Sequence, residues 1–259
     1  MMRRRTLLAS SLLALTPSSA LAFGEEGAFH ARLLGPLSGK RAQDENLKLL
    51  GSAMSRWSFE LMERTSAPVR IATTVVSPES KELFEEPFII WTGSEDPGTL
   101  SRLAARRLSE FFRLGGFMLV DDQAPETGAF RLGVERELEK VALPSPRIKL
   151  APDHVLYKSF YLIPRPVGRV LGPPTVEASL GGAGSGVLFL RHDLLGALAR
   201  RGDSWASPLE PDDPEQREYA IRFAINIAMY ILCTDYKDDQ VHAPYLMRRR
   251  TRSAPSRPR

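Results

Sequence analysis

The sequence predicts an α/β domain with a mainly parallel β-sheet and helices on both of its faces. Short segments rich in apolar and β-branched residues alternate with longer segments in which apolar residues recur every three or four positions, as strands and helices do in such folds. Several of the strand segments are continuously apolar, which is typical of strands buried on both faces. The chain has 259 residues, which is enough for one domain with a substantial core.

The chain begins, after its N-terminal segment, with two strands around one amphipathic helix. The predicted strands are Phe29–Leu34 and Val69–Val76, and the second is rich in β-branched residues and ends at Ser77 and Pro78. Between them, residues 44–64 place large apolar side chains three and four positions apart. This spacing predicts a helix over the whole segment.

Two continuously apolar strands flank the clearest helix of the sequence. These strands are predicted at residues 88–92 (FIIWT) and 116–120 (GFMLV). We expect Thr99 to be the N-cap of the helix between them, because a threonine hydroxyl can accept a hydrogen bond from the first turn. We expect Gly115 to end the helix, because glycine readily adopts the left-handed conformation found at helix C-termini.

The second half of the chain has weaker local patterns. Residues 142–186 are rich in proline and glycine, which predicts a long surface excursion with residues 155–164 as its one extended apolar piece. A fifth strand is predicted at residues 187–190 (VLFL), which are continuously apolar.

The last predicted helix is apolar on nearly every side and is therefore expected to be buried. Asp213 is its predicted N-cap, Pro214 occupies its first position and Gln216 completes a capping box. We expect this helix to end at about Cys233. Residues 235–250 are then expected to form an ordered, extended segment that packs on the domain.

The N-terminus is typical of an exported protein. Three arginines at positions 3–5 precede a short apolar run that ends in Ala-Leu-Ala at positions 20–22, as in a secretory signal peptide. We therefore expect cleavage after Ala22 and a periplasmic or secreted mature protein. The sequence around Arg4 and Arg5 also resembles a twin-arginine signal, so export of the folded protein and export by the ordinary route both remain open.

These signals divide the chain into a signal peptide (1–22), a single α/β domain (23–247) and a basic, disordered tail (248–259). Nine of the 35 basic residues lie in the first five or the last twelve positions, so the domain itself is mildly acidic. This distribution argues against a nucleic-acid partner. The tail either increases solubility only or contacts anionic lipid or an envelope polymer.

Several kinds of site are disfavoured by what the sequence lacks. No segment after the signal is long and apolar enough for a membrane span, and a single cysteine, Cys233, excludes an internal disulfide. No metal-ligand spacing and no nucleophile elbow is present, so we expect no metal, no cofactor and no covalent catalysis.

The glycine-rich run at residues 181–186 precedes a strand and is interpreted as a flexible loop. Cys233 is interpreted as a core residue, and His30, His154 and His242 as structural.

Polar residues follow three of the predicted strands, at the edge where parallel α/β sheets bind ligands. They are Ser94, Glu95 and Asp96 after the third strand, Asp121 and Asp122 after the fourth, and His192 and Asp193 after the fifth. Clustered carboxylates and a histidine could bind a divalent metal or act as acid and base. The competing interpretation, which we favour, is that the aspartates form helix caps and turns.

The last helix carries three polar residues on one face. Glu218, Arg222 and Asn226 are four residues apart and therefore stack along an otherwise apolar helix. Because a buried charge needs a partner, we favour bracing against a strand-end carboxylate over ligand binding.

A family resemblance extends from about Phe29 to Arg250. The chain resembles the exported bacterial family of the domain of unknown function 4159 through FHARLL, FIIWTGSED, LGGFMLVDD, PDHVLYKSFYLI, RHDLLGALA and QREYAIRFAINIAMYILCTDYKDDQVHAPYLMRRR, in that order. The last segment is the most specific and includes Arg222 and Asn226. The family is similar to the class I glutamine amidotransferase-like superfamily, which implies a flavodoxin-like three-layer sandwich. Enzymes of that superfamily use a cysteine at an elbow, which this chain lacks, so their reaction is not implied.

The sequence therefore predicts a non-catalytic exported domain that binds an unidentified envelope partner or ligand at the strand-end crevice. The alternative is a hydrolase of envelope carbohydrate or peptide that uses Asp121, Asp122, His192 and Asp193. Carboxylates about 5 to 9 Å apart in one cleft would favour the hydrolase. Dispersed helix caps would favour the binding domain.

Overall fold

A seven-stranded sheet between two layers of helices forms the centre of the computed structural model, which describes residues 28–35, 44–182 and 184–252. This is a flavodoxin-like three-layer α/β sandwich, so the predicted fold class is confirmed. The predicted signal peptide, residues 1–22, and residues 253–259 of the predicted tail lie outside the described residues.

Five parallel strands form the body of the sheet. They are β1 (Phe29–Leu34), β2 (Val69–Val76), β3 (Phe88–Gly93), β4 (Phe117–Asp122) and β7 (Gly186–Leu190), in the order β2-β1-β3-β4-β7. Two short strands, β6 (Glu177–Leu180) and β5 (Ile148–Lys149), extend the sheet beyond β7 by antiparallel pairing. The strand order reverses between β1 and β3, because β2 lies on one side of β1 and the later strands lie on the other.

Helices cover both faces of this sheet. One face carries α1 (Asp44–Arg64), α4 (Leu194–Leu198) and α5 (Pro214–Arg252), and the other carries α2 (Arg102–Arg113) and α3 (Ala129–Leu138). Side chains alternate along each strand and so divide the core between the two faces. In β3, Ile90 packs with α1 and α5, whereas Ile89 and Trp91 pack with α2 and α3. A small hairpin of β8 (Arg200–Arg201) and β9 (Ser204–Trp205) follows α4.

The elements predicted before residue 122 are confirmed, with changes at their ends. β1, α1 and β2 have the predicted bounds, and Gly115 follows α2 with a φ of 97°. The N-cap of α2 is Ser101, whose hydroxyl accepts a hydrogen bond from the Ala104 N–H at 3.1 Å, so the prediction of Thr99 is wrong. The reason is tertiary: the buried Leu100 donates its N–H to Glu137 at 2.7 Å, which places the helix start after it.

The predicted surface excursion contains elements that local patterns do not indicate. β5 and β6 lie within it, and a 3-10 turn over Val155–Lys158 replaces the extended piece predicted at residues 155–164. The sequence also does not predict α3, α4 or the 3-10 turn at Lys81–Glu85. All of these elements are short, and β6 exists by pairing with β7 rather than by a strong pattern of its own.

Helix α5 begins as predicted but is longer than expected. The Asp213 carboxylate accepts a hydrogen bond from the Glu215 N–H at 2.9 Å, as a cap does, whereas the Gln216 side chain leaves the helix to donate to the carbonyl of Gly168 at 3.0 Å. The helix continues to Arg252, so the predicted end near Cys233 and the extended segment at 235–250 are wrong. Between Cys233 and Pro244 no glycine or proline is present to stop the helix, so the local sequence there permits it to continue.

Cys233 itself is exposed, so its assignment to the core is also wrong. Burial along α5 decreases from Ile231, which is buried, through the half-buried Leu232 to Cys233. Within the described part of the chain, no helix has both the length and the apolar character that crossing a membrane requires.

Candidate functional site

Asp121 caps helix α4 from the end of β4. Its two carboxylate oxygens accept hydrogen bonds from the N–H groups of Leu194 and Leu195, both at 2.9 Å, and the residue is fully buried. Burial, and after it the charge of Asp193, raises the pKa of Asp121 to about 8, although the two N–H donors act in the opposite direction. The side chain therefore joins strand to helix and is not available in a cleft.

Asp193 is the N-cap of the same helix, so both aspartates bind its first turn. Its carboxylate accepts a hydrogen bond from the Gly196 N–H at 2.9 Å and forms an ion pair with Arg169, which also binds Glu210 at 2.7 Å. Burial raises the pKa of Asp193, and Arg169 opposes this effect. The residue has a left-handed backbone with φ of 49°, as an aspartate at a tight turn can adopt.

His192 holds a neighbouring loop against the end of β7. Its Nε2 lies 3.0 Å from the carbonyl oxygen of Pro173, and its Nδ1 accepts a hydrogen bond from the Arg191 N–H at 3.3 Å. This network assigns the proton to Nε2. The ring is 2% exposed, and burial lowers the pKa of His192 to about 4, so it is neutral at physiological pH. Gly168 passes so close that a Cβ there would lie 2.0 Å from the His192 carbonyl oxygen.

Asp122 faces the opposite side of the sheet from Asp121, because successive strand residues alternate. Its Oδ1 accepts a hydrogen bond from the Ala124 N–H at 3.1 Å. Its Oδ2 is buried and has no hydrogen-bond partner among the described residues. Burial raises the pKa of Asp122, and the Ala124 N–H opposes this. Asp122 is thus a turn former with one unsatisfied oxygen.

The predicted residues after β3 lie on an exposed loop. Asp96 binds the guanidinium of Arg136 through both oxygens, at 2.7 and 2.9 Å, and accepts a hydrogen bond from the Gly98 N–H at 2.8 Å. Ser94 and Glu95 are exposed. Of the strand-end candidates, the structure brings Asp121 and Asp193 together at α4, while Asp96, Asp122 and His192 hold other turns and loops.

The polar face of α5 braces the fold, but not through a strand-end carboxylate as predicted. Glu218 accepts hydrogen bonds from Arg64 of α1 at 2.6 and 3.0 Å and from Arg222 at 2.8 Å. Asn226 is fully buried: its Oδ1 accepts hydrogen bonds from the N–H groups of Phe160 (3.2 Å) and Tyr161 (2.7 Å), and its Nδ2 donates to the Tyr161 carbonyl at 2.8 Å. Glu218 is bound by α1 because α1 and α5 pack side by side on one face of the sheet, and Asn226 is bound by the loop at residues 160–161.

A cavity of about 150 Å³ lies where the strand order reverses. It is enclosed by the carboxyl ends of β1 and β3, the beginning of α1 and the start of α3. Its lining is mostly apolar: Leu33, Leu34, Gly35, Asn46, Leu47, Leu50, Val75, Trp91, Thr92, Gly93, Pro97 and Phe130. Flavodoxin-like folds bind ligands at this reversal point.

Of the described residues, few bring polar groups into this switch-point cavity. The Thr92 hydroxyl donates to the Asp121 carbonyl at 2.7 Å, so toward a ligand it can act only as an acceptor. Asn46 is exposed at the cavity edge. Gly93 backs onto Phe130, and a Cβ there would lie 2.8 Å from the ring. Glycine at this position therefore lets Phe130 form one wall, edge-to-face with Trp91 at a centroid distance of 6.4 Å.

Sequence reasoning did not identify the residues of this cavity. They have the spacing and composition of ordinary core residues, and the only available signal is that some of them end the two strands between which the order reverses. That signal requires the strand order, which local patterns do not provide.

A comparison with protein-family models matches residues 43–232 to the family described as domain of unknown function (DUF4159). The match spans more than half of the chain and contains every strand-end candidate, Arg222 and Asn226. It also contains the part of the switch-point cavity that α1, β3 and α3 contribute. The comparison with curated proteins finds no match.

Proposed function

We propose that this chain, which belongs to the family of the domain of unknown function 4159, is an exported, non-catalytic domain that binds an apolar group of an envelope ligand in the switch-point cavity. The observation that carries the proposal is the contrast at the carboxyl edge of the sheet. There, Asp121, Asp193 and His192 are occupied in fixing α4 and a loop, whereas the described residues around the cavity between β1 and β3 are mostly apolar and carry no such structural hydrogen bonds to α4.

The size of the cavity limits what can enter it. About 150 Å³ suits a group the size of a benzene ring, whereas sites that enclose a whole small molecule usually measure about 300 Å³ or more. A ligand would therefore insert one ring or a short alkyl chain and leave its polar part at the mouth, near Asn46. Among the residues that the structure describes, the lining includes no cation that would neutralise an acidic group.

Binding is favoured over catalysis because acid and base catalysis needs groups that can reach a substrate. Asp121 and Asp193 direct their oxygens at the N–H groups of α4, and His192 is buried and neutral. The similarity to the class I glutamine amidotransferase-like superfamily, which the sequence resemblance implies, is part of the same proposal. The sheet order supports it, and the lack of a cysteine at an elbow is consistent with a binding domain.

One observation favours the hydrolase alternative. Asp122 combines a raised pKa with a buried, unpartnered Oδ2, and catalytic acids often have a raised pKa. The residue is only 1% exposed, however, so a hydrolase would have to open the turn that follows β4 before a substrate could reach it.

A cavity-filling variant tests the proposal, with indole and hexanoate as probes in ligand-observed NMR. Fragments of this size should bind the full chain with a Kd of about 1 mM, a free energy of about −4 kcal/mol. Leu47→Phe should weaken binding at least about tenfold, since the larger ring occupies the cavity that Leu47 lines. Leu49→Phe is the matched control, because Leu49 lies on the same helix but does not line the cavity.

Three results would contradict the proposal. Equal binding by Leu47→Phe and Leu49→Phe would place the probes elsewhere. Release of sugar or peptide from cell-wall fragments by the full chain, lost in Asp122→Asn, would establish the hydrolase. Recovery of the protein only from the cytoplasm of its host would contradict export.

A further inference from the structure

Three large apolar side chains are exposed within eight residues of the second half of the chain. Val155, Phe160 and Leu162 are 40%, 44% and 84% exposed, and no other large apolar side chain that the structure describes is as exposed as Leu162. A single exposed apolar residue on a regular element is ordinary. A group that includes an almost fully exposed leucine on a loop indicates a contact surface.

The loop that carries Phe160 and Leu162, residues 157–165, follows the turn that carries Val155; it is firmly held and is here named the tip loop. The Ile163 N–H donates to the Tyr157 carbonyl at 2.9 Å and closes the loop. The Tyr157 hydroxyl accepts a hydrogen bond from the Val176 N–H at 2.8 Å, and Asn226 of α5 makes the three hydrogen bonds described above. Tyr157 and Ile163 are buried. The exposed Phe160 and Leu162 therefore project from a rigid base.

Two cations flank this apolar tip. Lys158 and Arg165 are exposed, and neither forms an ion pair with a carboxylate among the described residues. Arg222 lies behind the tip, over the ring of Tyr161 at 5.3 Å, where Glu218 neutralises it. Apolar side chains between unpaired cations are typical of protein surfaces that enter the headgroup region of an anionic bilayer.

We propose that the tip loop inserts Phe160 and Leu162 into an anionic lipid surface, with Lys158 and Arg165 against the lipid phosphates. Charge complementarity argues for this partner, because the two cations are free to bind phosphate. Because the loop is already ordered, insertion costs little conformational entropy. This inference is independent of the switch-point cavity.

A fluorophore at the tip tests the insertion directly. The full chain carries an environment-sensitive dye at position 162 through Leu162→Cys, in a Cys233→Ser background that removes the exposed native thiol. Vesicles containing phosphatidylglycerol should shift the emission to the blue, and nitroxide-labelled lipids should quench it. Leu132→Cys is the matched control, since Leu132 is 58% exposed on α3 and should report no change.

Substitutions measure what each part of the tip contributes. Leu162→Asp should weaken partitioning to anionic vesicles about tenfold or more, and Leu132→Asp should leave it unchanged. Lys158→Gln with Arg165→Gln should weaken it about tenfold and reduce its dependence on salt. All four positions are exposed, so each variant should melt with the parent chain, as circular dichroism would show.

Two outcomes would overturn the inference. If the chain binds vesicles while the dye at position 162 stays in water, other parts of the protein make the contact. If the dye responds to a lipid-free extract of envelope proteins and not to vesicles, the occupant of the tip is a protein.

Discussion

The buried carboxyl group of Asp121 makes the stability of the protein depend on pH. Its pKa of about 8 in the folded chain compares with about 3.9 for an aspartate in an unfolded chain. Between these values the folded state keeps a proton that the unfolded state has released. The stability that this proton contributes is therefore complete below about pH 4 and is lost as the pH rises through 8.

His192 acts in the opposite direction. Burial lowers its pKa to about 4, compared with about 6.5 in an unfolded chain. Below pH 6.5 the unfolded state binds a proton at His192 that the folded state does not bind, so the stability of the folded state falls as the pH decreases toward 4. Below pH 6.5 the effects of Asp121 and His192 on stability oppose each other. Above pH 6.5 only Asp121 of these two residues makes stability depend on pH.

We therefore predict that the free energy of unfolding falls by about 1–2 kcal/mol between pH 6.5 and 8. Asp121→Asn should remove most of this decrease, because an amide does not titrate. The variant should also be less stable at pH 6.5, since its NH₂ faces an N–H donor of α4. Urea denaturation at each pH measures both effects, with the exposed Asp153→Asn as control. A decrease of full size in Asp121→Asn would assign the pH dependence to other groups.

At the scale of single elements, the start of α2 shows how tertiary contacts select among local signals. Thr99 and Ser101 are both good N-cap residues, and the sequence alone does not separate them. The hydrogen bond from Leu100 to the buried Glu137 selects Ser101. Lys140 and Arg136 neutralise Glu137, which allows a carboxylate to be buried at this point.

The two candidate caps give a direct prediction. Ser101→Ala should lower the free energy of unfolding by about 1 kcal/mol, because the Ala104 N–H loses its acceptor. Thr99→Ala should change it by less than about 0.5 kcal/mol, as is usual for an exposed position without such a contact. Thermal melts of the two variants measured side by side provide the test. The reverse ranking would mean that α2 starts at Thr99.

Elements with strong patterns were predicted from sequence, and elements that depend on a partner were not. The bounds of β1, α1 and β2 follow from spacing and β-branched content. β5 has two residues and β6 has four; β6 is a strand because it pairs with the edge of β7, and β5 is a strand because it pairs with β6. Likewise, residues 155–164 contain enough apolar residues for a strand, yet Asn226 holds the backbone of Phe160 and Tyr161 in a loop.

At the scale of the whole molecule, the two helical layers share one sheet and should unfold together. One core cluster lies between the sheet and α1, α4 and α5, and the other lies between the sheet and α2 and α3. Every strand of the parallel body contributes to at least one cluster, and β1, β3, β4 and β7 contribute to both. Loss of either layer would expose one face of these buried strands.

We predict that one truncation in each layer destabilises the same cooperative transition. Phe223→Ala in α5 and Phe111→Ala in α2 both remove fully buried rings, and each should cost about 3–5 kcal/mol. Far-ultraviolet and near-ultraviolet circular dichroism should give the same midpoint within each variant. Two separated transitions in either variant would show that the layers unfold independently.

The candidate site was only partly predictable. The sequence located acids and a histidine at the strand ends, and it favoured capping for the aspartates, which is the role that Asp121 and Asp193 have. It did not indicate the switch-point cavity, whose Leu47 and Phe130 come from helices on opposite faces of the sheet. Nor did it indicate Arg32, buried in β1, which donates to the carbonyls of Glu82 (2.7 Å) and Leu83 (3.1 Å).

The sequence by itself determined the α/β class, the bounds of β1, α1 and β2 and the capping role of Asp213, because each depends on neighbouring residues within one or two turns of chain. Only the tertiary structure decided the order of the strands, the partners of Glu218 and Asn226 and the position of the cavity. These features depend on contacts between residues far apart in the chain, such as Arg64 with Glu218 and Asn226 with Tyr161. Local propensity carries no information about such contacts, because their free energy arises only after the elements have packed.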